Sequence, residues 1–262
     1  MRRVSQIDTA PLAACGIAVM AKASIPGHSK TRLVPPLTYE EAAGCNTAFL
    51  RDIAENILAA LAEVSVAGYL AFGPPEYRSF FQAVMPAEIG LIEAWHPRFG
   101  DCLALTALEL LQKHQGAILL NCDSPTLPTS VLVESAHALM QSGDRIVLGP
   151  ARDGGYYLLG LKANHGRLFE DISWSTEHVA RQTLARAAEL GIPVHILPQW
   201  YDVDDSESLK LLTSELFESS VYPAGLRPYS ARHTRAILLS LIESSNLKNR
   251  LAVSPTLEGA AE

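Results

Sequence analysis

The sequence of 262 residues predicts an α/β fold, a single three-layer αβα domain built on a mainly parallel sheet. Short, continuously apolar runs such as Gly16 to Met20 (GIAVM) and Ala117 to Asn121 (AILLN) are typical of strands buried on both faces of such a sheet. Between these runs, apolar residues recur every three or four positions, as in amphipathic helices. With 48% apolar residues, the chain can bury one large core.

Predicted strands and helices alternate along the chain, which favours parallel strands joined by helical crossovers. The first long helix shows the pattern best, because Phe49, Ile53 and Ile57 fall on one face. The apolar runs predict strands at residues 16–20, 64–72, 89–95, 117–121, 145–148, 156–161 and 194–197. The helical spacing predicts helices at residues 39–61, 76–84, 101–112, 130–141, 176–190, 206–217 and 231–247.

Three regions follow from this pattern. Residues 1–15 are predicted to be a flexible N-terminus, residues 16–220 the α/β domain, and residues 221–262 a C-terminal extension. The extension starts where prolines and glycine interrupt the pattern, and its last fifteen or so residues are expected to fray. We also expect that it could pair two copies of the chain.

Composition excludes several classes of protein. A net charge of -7 argues against a general nucleic-acid or acidic-membrane surface, and no apolar stretch approaches the ~20 residues of a membrane span. Leu12-Ala-Ala-Cys15 resembles a lipoprotein cleavage box, but the residues before it are too polar for a signal peptide. No CxxC pair or zinc-like spacing occurs, which predicts reduced thiols in a cytoplasmic protein. The four cysteines are Cys15, Cys45, Cys102 and Cys122.

A basic loop follows the first predicted strand. The segment Ser24 to Leu33 (SIPGHSKTRL) lies in a stretch without any acid, although the protein as a whole is acidic. Arginine forks and lysine point charges both suit phosphate oxygens, so the loop predicts a phosphate site. A Walker P-loop is disfavoured because Ser29, not glycine, precedes the lysine, and a merely solvated basic loop stays open. The candidate phosphate contacts are Lys22, Lys30 and Arg32.

Acidic residues follow two other strands. Asp123, in Asn121-Cys-Asp-Ser-Pro125, comes directly after a buried strand and could hold Mg²⁺ or Mn²⁺, which prefer oxygen ligands; an Asx-turn is the structural alternative. Asp202 and Asp204 would share one face of an extended segment and could complete the metal site. Asp204 also stands three residues before Glu207, the spacing of a capping box.

The segment Gly149 to Leu158 (GPARDGGYYL) carries two adjacent glycines before a predicted strand. Gly154 and Gly155 indicate close approach by a ligand or by another stretch of backbone, and Asp153 would face the same crevice. The alternative is a tight hairpin, because Asp-Gly is a strong turn sequence.

Taken together and in this order, these motifs resemble one family of transferases. The motifs are Lys30-Thr-Arg-Leu33, Asp123-Ser-Pro125, Gly149-Pro with Asp153 to Leu158, Trp174-Ser-Thr176 and Asp202-Val-Asp204. Over roughly residues 16 to 215, the sequence is similar to the radical-SAM/selenodomain-associated transferase 1 family, also called arsenosugar-biosynthesis glycosyltransferases. Its relatives include the 2-phospho-lactate guanylyltransferases, which share a Lys-Thr-Arg-Leu loop.

The resemblance implies a GT-A-like (Rossmann-like) fold with a nucleotide sugar or nucleoside triphosphate over the strand ends. The basic residues Lys22, Lys30 and Arg32 would contact its phosphates. Asp123 would bind Mg²⁺ or Mn²⁺, supported by Asp202 or Asp204. The sequence departs from the family at residues 100–105, which lack its second glycine and its arginine.

Three functions remain open at this point. The first is glycosyl transfer from a nucleotide sugar to a small acceptor, with Asp123 and Asp153 as catalytic residues and Asp153 as base or acceptor orienter. Asp101 and Thr106 would contact ribose or base, beside Gly154 and Gly155. The second is nucleotidyl transfer from GTP or CTP to a small phosphate or phosphonate, releasing pyrophosphate. The third is a nucleotide-binding module without turnover.

Overall fold

The computed structural model describes residues 13–218, 222–223 and 225–253. Its sheet has seven strands in the order β3-β2-β1-β4-β6-β5-β7. Six of them run in one direction, and β6 runs antiparallel between β4 and β5. The strands are β1 (Cys15–Ala21), β2 (Val66–Phe72), β3 (Gly90–Glu93), β4 (Gly116–Leu120), β5 (Ile146–Pro150), β6 (Tyr156–Leu161) and β7 (Val194–Ile196).

Helices connect and cover these strands. The first, α1, is fixed at its start by a capping box in which Thr38 and Glu41 satisfy each other's backbone amides. Three short 3-10 turns lie at Thr31–Leu33, Pro75–Tyr77 and Gly166–Phe169. The helices are α1 (Tyr39–Ala60), α2 (Arg78–Val84), α3 (Phe99–Leu111), α4 (Thr129–Met140), α5 (Val179–Glu189), α6 (Ser206–Phe217), α7 (Arg232–Ser244) and α8 (Leu247–Val253).

Two hydrophobic cores, one on each face of the sheet, make the fold three-layered. Helices α1, α2, α4, α6, α7 and α8 contribute to the larger core, whereas α3 and α5 cover the opposite face. The predicted three-layer α/β domain with a mainly parallel sheet is therefore confirmed. Among the described residues, no helix combines the length and apolar character needed to cross a membrane.

The predicted ends of the chain differ from the structure. Of the predicted flexible N-terminus, residues 1–12 lie outside the described residues, and Cys15 already belongs to β1. The predicted helix 231–247 stops at Ser244 and a new helix, α8, starts after Asn246, which has a positive φ. Of the residues expected to fray, residues 254–262 lie outside the described residues, whereas residues 248–253 belong to α8, in which Leu251 is buried in the larger core.

The described part of the extension packs on the domain of its own chain. Helix α7 lies against α1, and its N-terminal amides are capped by Asp52, a fully buried residue of α1. The Asp52 carboxylate accepts hydrogen bonds from the backbone amides of His233 (2.9 Å) and Thr234 (2.7 Å). These amides would otherwise lack partners, since the residue before α7, Ala231, offers no side-chain cap.

We expect Asp52→Ala to lower the free energy of unfolding by about 1–3 kcal/mol, because the buried amide of Thr234 and the partly buried amide of His233 lose their acceptor. Chemical denaturation measures the loss, and faster hydrogen exchange in α7 should accompany it. Glu63→Ala, at an exposed position after α1, is the matched control and should change stability little. Equal stability of the two variants would contradict the capping role.

Candidate functional site

The candidate site lies at the edge of the sheet where the parallel strands end. The segment after β4, residues 121–124, is joined there to residues 201–204, because the Val203 amide donates to the Asp123 carbonyl at 2.8 Å. Lys30, from the loop after β1, reaches the same place and donates to the Val203 carbonyl at 2.7 Å. Three segments distant in sequence therefore meet at one point, as the parallel sheet predicts.

Lys30 is the central cation of this site. Its side chain is only 5% exposed, and its ammonium forms ion pairs with Asp123 Oδ1 and, at 3.0 Å, with Asp204 Oδ1. Burial opposes the charge, but the two carboxylates outweigh it and raise the pKa of Lys30. In return, although burial opposes it, Lys30 holds the pKa of Asp123 below its usual range.

An ammonium has three protons to donate, and Lys30 has three protein acceptors in Asp123, Asp204 and Val203. The predicted contact of Lys30 with phosphate therefore has no free donor in this structure. Lys30 instead orients the two carboxylates. Lys22 and Arg32 are exposed and remain the candidate phosphate contacts.

Asp204 is held by cations rather than capping a helix. Its second oxygen, Oδ2, lies 2.6 Å from Nη2 of Arg32, while Oδ1 faces Lys30. The predicted capping role of Asp204 is wrong: α6 is capped by Asp205, which forms a reciprocal capping box with Ser208. Both carboxylate oxygens of Asp204 are thus engaged by protein cations, which leaves it unsuited to hold a metal.

Asp202 is oriented by two neighbours. Its Oδ1 accepts hydrogen bonds from Asn121 Nδ2 and Ser124 Oγ, both at 2.6 Å. Burial, together with the negative charges of Asp123 and Asp153, raises the pKa of Asp202 to about 7 against these hydrogen bonds. Asp123 and Asp153 are therefore both close enough to Asp202 to disfavour its negative charge.

Asp123 and Asp202 fit a divalent metal, whereas the predicted set of three aspartates does not. No described residue donates to Oδ2 of either Asp123 or Asp202, so each offers one carboxylate oxygen to a cation. Mg²⁺ is commonly bound by one or two carboxylates plus substrate phosphates. Asp123, Asp202 and Asp204 do not form a described group with three ligand atoms within 4.8 Å of one another.

Among the described residues, such a group of three occurs elsewhere, at Asp52, Glu55 and His233. There the Asp52 oxygens already cap α7, and Glu55 pairs with Arg232 and His233. We interpret this cluster as the attachment of α7 to α1 and not as a metal site.

The Gly149–Leu158 segment forms the hairpin between β5 and β6, with Asp153 at its exposed tip. Asp153 Oδ1 accepts from the Gly155 amide at 2.9 Å, a local turn interaction. At Gly154 the close approach is by backbone: φ is +88°, and an added Cβ would lie 2.3 Å from the Glu177 carbonyl oxygen. The predicted ligand contact of Gly154 is therefore replaced by a structural role, while Gly155 stays a candidate.

The remaining predicted contacts separate into exposed and buried residues. Lys22 is exposed, and no side-chain ion pair joins it to another described residue. Asp101 lies in the first turn of α3, where its carboxylate pairs with Arg98 and His96, each at 2.7 Å. Thr106 is fully buried, and its hydroxyl donates to the Cys102 carbonyl at 2.8 Å, so the predicted contact of Thr106 with ribose or base is wrong.

Three residues of the site were missed from the sequence. Asn121 and Ser124 orient Asp202, although both belong to the motif that pointed to Asp123. Arg152 places its guanidinium over the ring of Tyr201, 5.5 Å from the centroid, and so adds an exposed cation beside Asp153. Its position next to the Asp-Gly-Gly turn was the available sequence clue.

The fold is that of nucleotide-diphospho-sugar transferases and cytidylyltransferases. A Desulfovibrio desulfuricans protein assigned as a nucleotide-diphospho-sugar transferase superposes with a TM-score of 0.75 at 21% identity, covering 91% of this chain and 99% of that one. A cytidylyltransferase from Leptospira borgpetersenii gives a TM-score of 0.52 at 10% identity, covering 94% and 100%. At these identities the similarity is one of fold.

A family model also matches part of the sequence. It is described as an uncharacterized protein conserved in bacteria (DUF2064), and it covers residues 56–176. That range includes Asp123 and the Asp153 hairpin but neither the Lys30 loop nor Asp202 and Asp204. Comparison with curated proteins gives no match.

Proposed function

We propose that the protein is a metal-dependent transferase that uses an activated nucleotide, and specifically that it transfers a glycosyl group from a nucleotide sugar to a small acceptor. One observation carries the proposal: carboxylates from the β4 end and from residues 202–204 meet the basic loop at the strand ends. The names of the two proteins of similar fold support the same class of reaction. The free thiols support a cytoplasmic location.

In this proposal Asp123 and Asp202 would hold Mg²⁺ or Mn²⁺. The ion, when bound, neutralises charge that develops on the diphosphate leaving group. Arg32 and Lys22 bind phosphate oxygens from the loop side. Asp153, at the hairpin tip, accepts the proton of the acceptor hydroxyl or orients that hydroxyl, with Arg152 available to an anionic acceptor.

A second candidate is nucleotidyl transfer from GTP or CTP to a small phosphate or phosphonate. The exposed cations Lys22, Arg32 and Arg152 favour it, because a triphosphate and an anionic acceptor bring more negative charge than a nucleotide sugar and a neutral acceptor. The same site would then release pyrophosphate.

One experiment separates these functions. The protein is incubated with Mg²⁺ and each of UDP-glucose, GDP-mannose, GTP, CTP and UTP, while thermal stability and released phosphate products are measured. Stabilisation by a nucleotide sugar is expected, with slow release of nucleoside diphosphate because water takes the glycosyl group in the absence of the acceptor. Stabilisation by triphosphates alone, with pyrophosphate formed, would select nucleotidyl transfer. Binding without product would indicate a non-catalytic module, and no binding would reject all three functions.

Arg32→Ala should weaken binding of the stabilising nucleotide by about tenfold or more, because a charge-assisted hydrogen bond contributes ~1.5–3 kcal/mol. The Arg32 side chain is 72% exposed, so folding should change little. Calorimetric titration measures the dissociation constant. Arg181→Ala, at an exposed position on α5, is the matched control. Equal affinities for the two variants would remove Arg32 from the phosphate site.

A further inference from the structure

Lys30 is placed as a fixed internal cation rather than as a surface side chain. Its ammonium nitrogen lies 5.3 Å from the centroid of the Phe49 ring. The Lys30 side chain therefore passes along the edge of the hydrophobic core before it reaches the site. Its backbone is left-handed, with φ of +51°, a conformation uncommon outside glycine. The far end of the side chain is fixed as well, because one ammonium has three protein acceptors.

The three hydrogen-bond acceptors of the ammonium are all oxygens. Two are carboxylate oxygens, Asp123 Oδ1 and Asp204 Oδ1, and the third is the Val203 carbonyl oxygen. Carboxylate and carbonyl oxygens are the ligands that Mg²⁺, Mn²⁺ and Ca²⁺ prefer. The Lys30 ammonium therefore occupies a position in which the same three oxygens could coordinate a hard divalent ion if the ammonium were absent.

Electrostatic repulsion explains why a cation must lie between the carboxylates of Asp123 and Asp204. Asp123 and Asp204 lie around one small space, and two carboxylates without a cation between them would repel each other. Arg32 reaches only the outer oxygen of Asp204 and does not contact Asp123. Within the described residues, Lys30 alone pairs with both carboxylates.

We infer that Lys30 is a built-in substitute for a divalent ion, so that removal of its ammonium turns Asp123, Asp204 and the Val203 carbonyl into an additional metal site. In the wild-type protein these three oxygens bind the ammonium, so they cannot bind a metal ion as well. The inference concerns the protein without nucleotide and does not depend on the proposed transferase reaction.

The test counts metal ions in Lys30→Met. Methionine keeps an unbranched chain of similar length over Phe49 but carries no charge. Binding of Mn²⁺ is measured by equilibrium dialysis and by electron paramagnetic resonance, in the absence of nucleotide. The variant is expected to bind one Mn²⁺ per chain more than the wild type. The number of Mn²⁺ ions that the wild type binds, one or zero, separately tests the proposed metal site at Asp123 and Asp202.

Two controls define the position of the added ion. Lys30→Met/Asp204→Asn should lose the extra Mn²⁺, because one of the two carboxylates is gone. Lys113→Met removes an exposed lysine that also pairs with a carboxylate, that of Glu109, outside the site and should leave the count at the wild-type value. The same Mn²⁺ count in folded Lys30→Met and wild type would overturn the inference, as would an extra ion that survives the double substitution.

Folding provides a second readout. Lys30→Met should be less thermally stable than the wild type in EDTA and should regain part of the difference when Mn²⁺ is added. If the variant is unfolded in EDTA, it should refold with Mn²⁺. A variant that stays unfolded with and without Mn²⁺ would also overturn the inference, because a divalent ion would then be unable to replace the ammonium.

Discussion

Asp123→Asn is expected to abolish metal-dependent nucleotide binding and turnover. Asparagine keeps the size of the side chain but removes the negative charge from the ligand that the proposed metal needs. Loss of one supporting group at a metal site already costs about 10–100-fold in affinity, so loss of a direct ligand should cost at least ~100-fold. Mn²⁺ titration, nucleotide binding and product formation measure the effect.

The same substitution also weakens the site structurally, because Lys30 loses one of its two anionic partners. We expect a stability loss of about 1–3 kcal/mol, and the comparison must use folded protein. Asp144→Asn, which removes an exposed aspartate paired with His165, is the matched control and should bind metal and nucleotide normally. Unchanged metal affinity in Asp123→Asn would remove Asp123 from the site.

Gly154→Ala is expected to destabilise the protein by ~3 kcal/mol, the sum of a left-handed backbone for a residue with Cβ and a clash with the Glu177 backbone. The clash involves main-chain atoms within 2.3–2.8 Å of the added carbon, so a rotamer change cannot relieve it. Thermal and chemical denaturation measure the loss. The expected effect is on folding, and nucleotide affinity of the folded fraction should change less.

Gly143→Ala provides a matched control. Gly143 also has a positive φ, +81°, but nothing lies within 4 Å of an added Cβ. This variant should therefore lose only the stability that a left-handed backbone costs a residue with Cβ, about 1–2 kcal/mol. Equal losses at the two positions would show that the Glu177 contact contributes nothing. A wild-type stability for Gly154→Ala would contradict the structural role.

The fold could be predicted because its determinants are local. The runs GIAVM and AILLN are apolar on both faces, so they can be stable only inside a covered sheet. The sequence of α1 itself contains the helical spacing of apolar residues and the capping box at its start. The positions of the basic loop and of Asp123 followed from the rule that ligand sites gather at the ends of parallel strands. The structure brings these segments together.

The pairing of side chains within the site could not be predicted. Sequence spacing gave Asp204 a capping partner in Glu207, but the capping residue is Asp205, and Lys30 and Arg32 take both oxygens of Asp204. Thr106 stands one turn beyond Asp101, yet the helix turns it into the core. Shifts of a single residue or a fraction of a helical turn decide such contacts, and periodicity does not resolve them.

The sequence by itself therefore determined the layers, the order of elements and the charges that each loop carries, because these depend on apolar periodicity and on residue type. Only the tertiary structure decided which charges neutralise one another and which stay available to a ligand. Electrostatic pairing depends on distances of a few ångströms between residues more than 170 positions apart, as for Lys30 and Asp204. Those distances are set by how the strand ends meet and not by any local pattern.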